Sequence, residues 1–298
     1  MDTQVAIVGA GPAGLAAALT LSRSMIKSIV FDKNTPPRNA SSPFIAALPG
    51  FDRNTPADVR DTIHRDIVSY PYAHFEQTGI TGIRREADGF TLSRDDGSLL
   101  TAEFVLLSTG MVDLFPELGG IEECWGRSVI NCPFCHGIEW HNKRWGIYAH
   151  RQDVIDAAEV YRNWSDDLHY FIGPDIFVTP ERSEQVSRLS TAIYHELPIN
   201  LRAENGALTH IEMPGGETID LDCLLIFPFQ QQTGLVTSLD ISMTDAGYVD
   251  VDAGFRTSVR GLYAAGDLVY PGHQNTPTAL HMGNLAAATI VMDYCCLK

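Results

Sequence analysis

Short apolar runs alternate with glycine-rich turns and amphipathic stretches along most of the chain. The first run, Val5–Val8, is typical of a buried parallel strand, and the glycine-rich turn Gly9–Gly14 follows it directly. An apolar helix from Leu15 to about Ser22 and a second apolar run, Ser28–Asp32, come next. This order predicts a β-α-β unit at the start of the chain.

The same pattern restarts after residue 114. A strand at Arg144–Ala149, a helix at Asp153–Trp164 and a strand at Leu168–Ile172 predict a second β-α-β unit. The other predicted elements are a helix over 56–69, a β-meander around 80–108, an apolar strand over 223–229, a buried strand and turn over 261–267, and a long helix from about 277 to 294.

Both chain ends carry parts of the first pattern, and the second pattern lies between them. The simplest interpretation is an α/β fold whose first domain is made of both chain ends, with a second domain inserted in it. Residues 1–113 and 241–298 are expected to form a discontinuous first domain, with a second domain, residues 114–240, inserted in it.

Composition narrows the possible partners. The chain has 298 residues, of which 45% are hydrophobic, and a formal net charge of −16. A chain so acidic is a poor partner for nucleic acid or an anionic membrane, since both attract basic patches. Six cysteines are too few for an extracellular disulfide framework, and no apolar run is long enough to span a membrane. The apolar stretch Ala6–Leu21 lacks the basic start of a signal peptide, so we expect a cytoplasmic protein.

The turn after the first strand carries a dinucleotide fingerprint, Gly-x-Gly-x-x-Gly. Glycines let the backbone approach a pyrophosphate, whose charge is stabilised at the helix N-terminus. An acid at the end of the second strand is placed to hydrogen-bond a ribose hydroxyl. The candidate contacts are Gly9, Gly11, Pro12, Ala13, Gly14 and Asp32.

A second element favours FAD as the dinucleotide. Gly266-Asp267 follows an apolar strand and precedes the long last helix, and flavoproteins use such an aspartate to contact the ribityl and phosphate region. Standing alone, this dipeptide would indicate only an ordinary turn. Further candidate FAD contacts lie in neighbouring loops: Lys33, Arg38, Asn39, Thr109, Gly110, Gln274, Asn275 and Thr276.

The stretch from Asn131 to Gly137 is the most informative one for chemistry. Cys132 and Cys135 have the spacing that lets two sulfurs meet across one turn, which is typical of a redox-active disulfide. A zinc knuckle would need a second pair of ligands, which the neighbouring sequence lacks, so no metal site is predicted. Two buried structural thiols remain a simpler alternative.

His136 follows the second cysteine directly and is a candidate general base or acid, because its ordinary pKa lies near neutrality. The alternative is a histidine that only packs or caps. Cys223 lies in an apolar strand and is expected in the core. The vicinal pair Cys295-Cys296 is expected to be two free thiols at a helix end, because vicinal cysteines close only a strained ring.

The order of GAGPAG at residues 9–14, STG at 108–110, CPFCHG at 132–137 and AAGD at 264–267 resembles the low-molecular-weight thioredoxin reductase family. The resemblance covers nearly the whole chain. It implies two Rossmann-like, three-layer ββα domains. The first would bind FAD, the second, NAD(P)-type domain would carry a redox-active dithiol, and the protein would usually be a homodimer.

The second domain departs from that family where NADPH would bind. Aligned from Lys143 onward, Tyr148, His150 and Asp153 fall where the family has Gly, Gly and Ala. Residues 172–175, Ile-Gly-Pro-Asp, replace the basic cluster that holds the 2′-phosphate. Both halves of an NADPH site are therefore predicted to be lost, leaving a vestigial domain.

Other departures point to a direction of electron flow. His136 replaces the family's usual aspartate, and the loop Arg38–Ser42 differs from that of the reductases. Both features resemble the dithiol oxidases that close disulfides in gliotoxin-type and holomycin-type natural products. That resemblance implies that a small-molecule dithiol or protein thiol attacks Cys132, that Cys135 faces the flavin, that His136 moves protons, and that oxygen reoxidises FAD without NADPH.

Two alternatives stay open at this point. A reductase could receive electrons from ferredoxin or another donor, although two acidic proteins dock poorly. A redox sensor would keep FAD without turnover. Phe134, Trp140 and the loop Pro43–Phe51 are the expected walls of a substrate pocket.

Overall fold

The computed structural model describes residues 1–296 and forms two compact units. Unit 1 contains Met1–Arg38, Pro56–Val112 and the described chain from Gln230 onward, and unit 2 contains Asn39–Thr55 and Asp113–Phe229. This division differs from the expected domain boundaries in two places. The segment Asn39–Thr55 packs with unit 2, and unit 1 resumes at Gln230 rather than at residue 241.

The strands and helices follow the chain in this order. The strands are β1 (Thr3–Val8), β2 (Ser28–Phe31), β3 (Ala73–Glu76), β4 (Ile80–Glu86), β5 (Gly89–Arg94), β6 (Leu99–Leu107), β7 (Met111–Leu114), β8 (Val129–Ile130), β9 (Trp145–Ala149), β10 (Leu168–Ile172), β11 (Ala192–Tyr194), β12 (Asn200–Glu204), β13 (Ala207–Glu212), β14 (Thr218–Asp220), β15 (Cys223–Leu225), β16 (Phe229–Gln232) and β17 (Leu262–Ala264). The helices are α1 (Pro12–Arg23), α2 (Pro56–Val68), α3 (Ile121–Cys124), α4 (Pro133–His136), α5 (Gln152–Asp156), α6 (Ala158–Tyr161), α7 (Pro180–Leu189), α8 (Gly234–Thr237) and α9 (Thr276–Cys296).

Unit 1 is built on a sheet of order β3-β2-β1-β6-β5-β4, with β17 also paired to β6. The strands β3, β2, β1, β6 and β17 are parallel, and β4-β5-β6 form the antiparallel meander. Successive residues of β1 enter opposite cores, as the two-residue period of a strand requires. Val5 and Ile7 pack toward α1 and α9, whereas Ala6 and Val8 pack toward the meander side.

Unit 2 repeats the parallel arrangement with the order β11-β10-β9-β15-β8. A three-stranded antiparallel sheet, β12-β13-β14, covers one side of it. All five residues of β9 and all five of β10 are buried. Such continuous burial is typical of central strands in a parallel sheet, and it explains why both strands were predictable from apolar runs.

Three predicted elements of unit 2 differ from the structure. The helix expected at Asp153–Trp164 is split into α5 and α6 at Ala157, whose φ of −97° and ψ of 13° lie outside the helical region. The strand expected over 223–229 ends at Leu225, and a new strand begins after Pro228, which has no N–H for a ladder. Helix α7 was not predicted, because Val186 is its one buried residue and its apolar face is minimal.

In the described part of the chain, no helix is both long and apolar enough to cross a membrane.

Helix α9 approaches α1 without room for a side chain at Gly283. A Cβ at this position would overlap the backbone carbonyl of Ala13 in the first turn of α1. Ala17, Ala18, Ala286 and Ala287 are fully buried around this crossing. Small residues therefore set the distance at which the last helix packs against the first.

The variant Gly283→Ala tests this close approach. Helix propensity alone favours alanine by about 1 kcal/mol, whereas the steric overlap opposes it. We expect the overlap to dominate and to lower the free energy of unfolding by roughly 1–3 kcal/mol, measured by urea denaturation. Gly215→Ala is the matched control, because its Cβ meets nothing within 4 Å. A stabilised Gly283→Ala protein would contradict the packing described.

Candidate active site

The turn between β1 and α1 is built from backbone atoms that leave no space for side chains at two of its glycines. Gly9 has a φ of 109°, and a Cβ there would overlap the carbonyl oxygen of Ser108. A Cβ on Gly14 would overlap the carbonyl of Gly9. The Ser108 hydroxyl donates to the Gly9 and Val8 carbonyls, at 2.8 and 3.1 Å. Ser108, at the end of β6, therefore fixes the shape of this turn.

Gly11 differs from the other two glycines, since it faces open space. The nearest atom to a Cβ built on Gly11 is the Ser108 carbonyl oxygen, at 4.0 Å. Gly11 is the N-cap of α1, no side chain caps the helix there, and Pro12 occupies the first turn. The start of this twelve-residue helix thus offers backbone amides and clear space to a pyrophosphate, which fits the dinucleotide predicted from the sequence.

The second cofactor element lies beside the first. Gly266 has a φ of 94°, and a Cβ built on it would lie 3.1 Å from the Ala13 Cβ. Arg38 binds the Asp267 carboxylate at 2.6 Å and the Gln274 side-chain oxygen at 3.0 Å. Gln274 also accepts a hydrogen bond from Gln230 at 2.8 Å. Three sequence-distant candidates, Arg38, Asp267 and Gln274, are therefore joined in unit 1.

The remaining cofactor candidates are placed unequally. Asp32 follows β2 directly, where a ribose contact was expected, and its carboxylate pairs with Arg60 at 2.6 Å. The Thr109 hydroxyl is buried and has no hydrogen-bond partner among the described residues, as expected of a group that awaits a ligand. Asn275 caps the start of α9 by accepting from the Thr278 amide at 2.9 Å. Asn39 belongs to unit 2.

The last three candidates for cofactor contacts also lie in unit 1. Lys33 is exposed in the loop after β2, Gly110 has a φ of 65° after β6, and Thr276 is the first residue of α9. Arg60 and Gln230 were missed by sequence reasoning, since neither stands in a motif. Only the folding of distant segments onto one another brings them to Asp32 and Gln274.

Cys132 and Cys135 form a disulfide in unit 2, with their Cα atoms 5.3 Å apart. Cys132 is the N-cap of α4, and the Cys135 amide donates to the Cys132 sulfur at 3.1 Å. Both residues are half-buried. In this form of the protein the two sulfurs are bonded to each other rather than present as separate thiols. The Cys135 amide is a donor that would stabilise negative charge on the Cys132 sulfur if the disulfide opened.

His136 ends α4, and its ring lies among residues of the segment Asn39–Thr55. Its Nε2 is 3.4 Å from the Ser42 hydroxyl, and its ring centroid is 5.3 Å from that of Phe44. Burial lowers the pKa of His136 below its ordinary value. The histidine is therefore neutral at physiological pH, the form that can accept a proton.

The turn after β9 is filled by its own side chains, unlike the turn after β1. The His150 ring lies 5.2 Å from Tyr148 and 5.1 Å from Phe229, and burial lowers the pKa of His150. Arg151, the N-cap of α5, pairs with Asp153 at 2.6 Å and lies over the Phe229 ring. A dinucleotide would have to displace this packed group to reach the start of α5.

A cavity of about 720 Å³ opens in unit 2, a volume ordinary for small-molecule sites. Its walls include Ser41, Phe115 and Trp125, and the two rings pack edge-to-face at 4.6 Å. The expected pocket residues Phe134 and Trp140 do not line it. Phe134 packs edge-on against Trp164 instead, at 5.2 Å.

The free cysteines of the described chain fall into two kinds. Cys124 and Cys223 are fully buried, and burial raises the pKa of both thiols. Cys295 and Cys296 are exposed at the end of α9, as expected for free thiols at a helix end.

A family model described as Pyridine nucleotide-disulphide oxidoreductase matches residues 3–154 and 185–283. The two matched stretches contain the glycine turn, the disulfide and the Gly266-Asp267 element. The chain belongs to this family of oxidoreductases. Members of the family bind FAD, and the open Gly11 turn and the unpartnered Thr109 hydroxyl of this chain fit that cofactor.

Similar proteins agree with this assignment. Thioredoxin reductase tcpT from Claviceps purpurea is 28% identical over 94% of this chain and 90% of its own length. Thioredoxin reductase sirT from Leptosphaeria maculans is 25% identical over 89% and 86%. The fold matches the crystal structure of HlmI with a TM-score of 0.91 at 26% identity, covering 99% of this chain and 93% of that one. It also matches the putative thioredoxin reductase TrxB from Bacillus anthracis, with a TM-score of 0.92 at 26% identity over 99% of both chains. The chain is thus a thioredoxin reductase-like disulfide oxidoreductase with the two-domain α/β fold expected from its sequence.

The variant Gly11→Ala separates cofactor binding from folding. Its Cβ meets no atom closer than 4.0 Å in the chain itself, so we expect the unfolding midpoint of the apoprotein to change little. The methyl group would occupy the space offered to the pyrophosphate and weaken FAD binding at least tenfold, about 1.4 kcal/mol. Quenching of flavin fluorescence during titration measures this affinity.

Gly9→Ala provides the contrast, since its Cβ would overlap the Ser108 carbonyl and should destabilise the apoprotein as well. If Gly11→Ala binds FAD with the affinity of the wild type, the pyrophosphate does not lie against Gly11.

Proposed function

We propose that this protein is an FAD-dependent dithiol oxidase that closes a disulfide, with a small-molecule dithiol as substrate and oxygen as final acceptor. The observation that carries the proposal is the turn after β9, where His150 and Arg151 fill the position at which a second dinucleotide would meet the helix. An enzyme without access to NADPH must receive its electrons from another source. The redox group that unit 2 offers to a substrate is a disulfide, which accepts electrons from thiols.

The end of β10 supports the same direction. The chain continues as Gly173-Pro174-Asp175, and the Gly173 amide donates to the Ala149 carbonyl at 2.9 Å. This contact extends the β9–β10 ladder by one residue, and neither glycine, proline nor aspartate supplies a cation for a 2′-phosphate after it. The nearby acid at Asp175 is unfavourable for a 2′-phosphate. Motif resemblance to the gliotoxin-type and holomycin-type oxidases agrees with the proposal.

The reaction is an exchange of thiols followed by a two-electron oxidation. One substrate thiolate attacks the Cys132 sulfur, the Cys132–Cys135 bond breaks, and Cys135 leaves as a thiolate that takes up a proton. The second substrate thiolate then attacks the first substrate sulfur, so that the substrate disulfide forms and Cys132 leaves. The Cys135 amide, 3.1 Å from the Cys132 sulfur, stabilises that departing thiolate.

FAD, when bound, supplies the two-electron acceptor that returns the cysteines to the disulfide. Oxygen then takes two electrons and two protons and becomes hydrogen peroxide. The balanced reaction is one dithiol plus one oxygen giving one cyclic disulfide plus one peroxide. His136 takes the proton from an incoming thiol and returns it to a leaving thiolate.

A second function has support from the names of the relatives, since tcpT and sirT are both called thioredoxin reductases. A reductase with this chain's filled β9 turn would need a donor other than NADPH, such as a ferredoxin. Its substrate would be a protein disulfide rather than a dithiol.

Oxygen uptake distinguishes these functions. With dithiothreitol in air, we expect the holoenzyme to consume oxygen and to release one peroxide for each disulfide formed. Cys132→Ser should abolish uptake, whereas Cys295→Ser, an exposed cysteine at the end of α9, should retain it. An oxygen electrode and a peroxide assay make the two measurements. No uptake, with flavin reduced by ferredoxin, would overturn the oxidase in favour of the reductase.

Anaerobic addition of NADPH tests the filled turn independently. We expect the visible flavin absorbance to persist with stoichiometric NADPH and to bleach with dithiothreitol. Bleaching by NADPH at a catalytic rate would show that Tyr148, His150 and Asp153 do not block a nicotinamide cofactor.

The pH dependence reports on His136. Burial lowers its pKa below 6.5, so the proton-accepting form is complete at neutral pH and is lost only as the pH falls through the lowered value. In the wild type we expect kcat/KM for dithiothreitol to fall as the pH decreases below 6.5. In His136→Gln this decrease should disappear, and kcat should be roughly 100-fold lower than in the wild type. An unchanged pH–rate profile in the variant would remove His136 from the proton transfer.

A further inference from the structure

We propose that Ser42 is a positioning residue that fixes the tautomer of His136, holding its single proton on Nε2 and leaving Nδ1 as the base. The inference rests on the proposed role of His136 in thiol exchange and deepens it. Ser42 is the last residue of the loop Arg38–Ser42, whose resemblance to the dithiol oxidases gave this serine no catalytic role, and it stands almost a hundred residues before the histidine.

The direction of the hydrogen bond follows from the proton count on Ser42. A serine hydroxyl has one hydrogen and two lone pairs. The Ser42 hydroxyl donates its hydrogen to the Phe44 carbonyl at 2.7 Å. Toward His136 it can therefore only accept, and the Nε2 atom 3.4 Å away must carry the hydrogen.

A neutral imidazole has one N–H, so a proton held on Nε2 leaves the lone pair on Nδ1. Burial favours this neutral ring, since it lowers the pKa of His136. The distance of 3.4 Å is long for an N–H···O bond, as is common for catalytic contacts before substrate binds. Selection of one tautomer by such a partner is the usual way in which proteins orient a catalytic histidine.

The same short loop also holds the ring in place. Phe44 packs against His136 with the ring planes inclined by 52°. The loop itself is anchored at Ser42, whose amide donates to the Asn39 carbonyl at 3.1 Å. It packs on Gly126, where a Cβ would come within 2.6 Å of the Ser41 hydroxyl and 2.9 Å of the Ser42 nitrogen.

His136 is fixed from its other side by the backbone. Its amide donates to the Cys132 carbonyl at 3.1 Å, which ties the histidine to the helix turn that carries the disulfide. With its backbone fixed in this way, the His136 side chain can still rotate, and Ser42 and Phe44 restrict that rotation. In the reaction, Nδ1 accepts the proton of the incoming substrate thiol as its sulfur attacks Cys132, and it returns that proton to the Cys135 thiolate that leaves.

The decisive variant is Ser42→Ala in the holoenzyme, compared with Ser42→Thr and with Ser187→Ala, an exposed serine on α7. We expect Ser42→Ala to lower kcat for dithiothreitol roughly tenfold and to leave KM little changed. A tenfold loss is of the size seen when a residue that orients a functional histidine is removed. Ser42→Thr keeps a hydroxyl and should recover most of the rate. Ser187→Ala should behave as the wild type.

Nitrogen NMR of histidine-labelled protein measures the tautomer of His136 directly. If Ser42 had only a structural role, its replacement would leave these signals unchanged. In the wild type the His136 signals should show the Nε2–H tautomer, and in Ser42→Ala they should shift toward a mixture, with unchanged FAD content and melting temperature. Wild-type signals in Ser42→Ala, or a rate that Ser42→Thr fails to recover, would overturn the proposal. If His136→Gln is slow while Ser42→Ala is not, the positioning role fails although the oxidase function stands.

Discussion

The close approach of backbone to backbone around the β1–α1 turn is the constraint on which unit 1 depends. Gly9, Gly14 and Gly283 each lie where a Cβ would overlap a carbonyl oxygen of a neighbouring segment. The Ser108 hydroxyl joins the Val8 and Gly9 carbonyls to the end of β6. Because nothing larger than hydrogen fits, the first strand, the first helix and the last helix are held at one spacing. Among the three glycines of the turn, that spacing leaves only Gly11 facing open space, which makes the turn a binding site rather than a packed corner.

The two β-α-β units of the chain differ at the turn that follows the first strand of each unit. In unit 1 the turn after β1 ends in Gly11, which has no side chain, and no side chain caps the start of α1. In unit 2 the corresponding turn carries a histidine and an arginine whose side chains pack on Phe229, and the arginine also pairs with Asp153. Strand β9 is buried along its whole length, as the central strand of a parallel sheet should be. The same β-α-β scaffold therefore supports an open turn in one unit and a filled turn in the other.

The sequence was most informative where a residue type has a single physical use. Glycines that tolerate close backbone contact, and two cysteines separated by two residues, predicted the β1–α1 turn and the disulfide. The buried strands β9 and β10 were predicted for the same reason, because continuous apolar runs have few other uses. The contacts of Arg60, Gln230 and Ser42 could not be predicted, since arginine, glutamine and serine are common on surfaces. Their roles arise from pairings between distant segments: Arg60 with Asp32, Gln230 with Gln274, and Ser42 with His136. Segment 39–55 packs with unit 2, which could not be expected from the sequence because loop composition does not indicate the unit against which a loop packs.

The burial of Cys124 and Cys223 has a consequence for a protein that also carries a disulfide. Burial disfavours the thiolate of both residues, and the thiolate is the form that attacks a disulfide. The two core thiols are therefore poor nucleophiles toward the Cys132–Cys135 bond. Solvation separates sulfurs of different reactivity within one chain, so that the disulfide and these two reduced cysteines coexist without exchange.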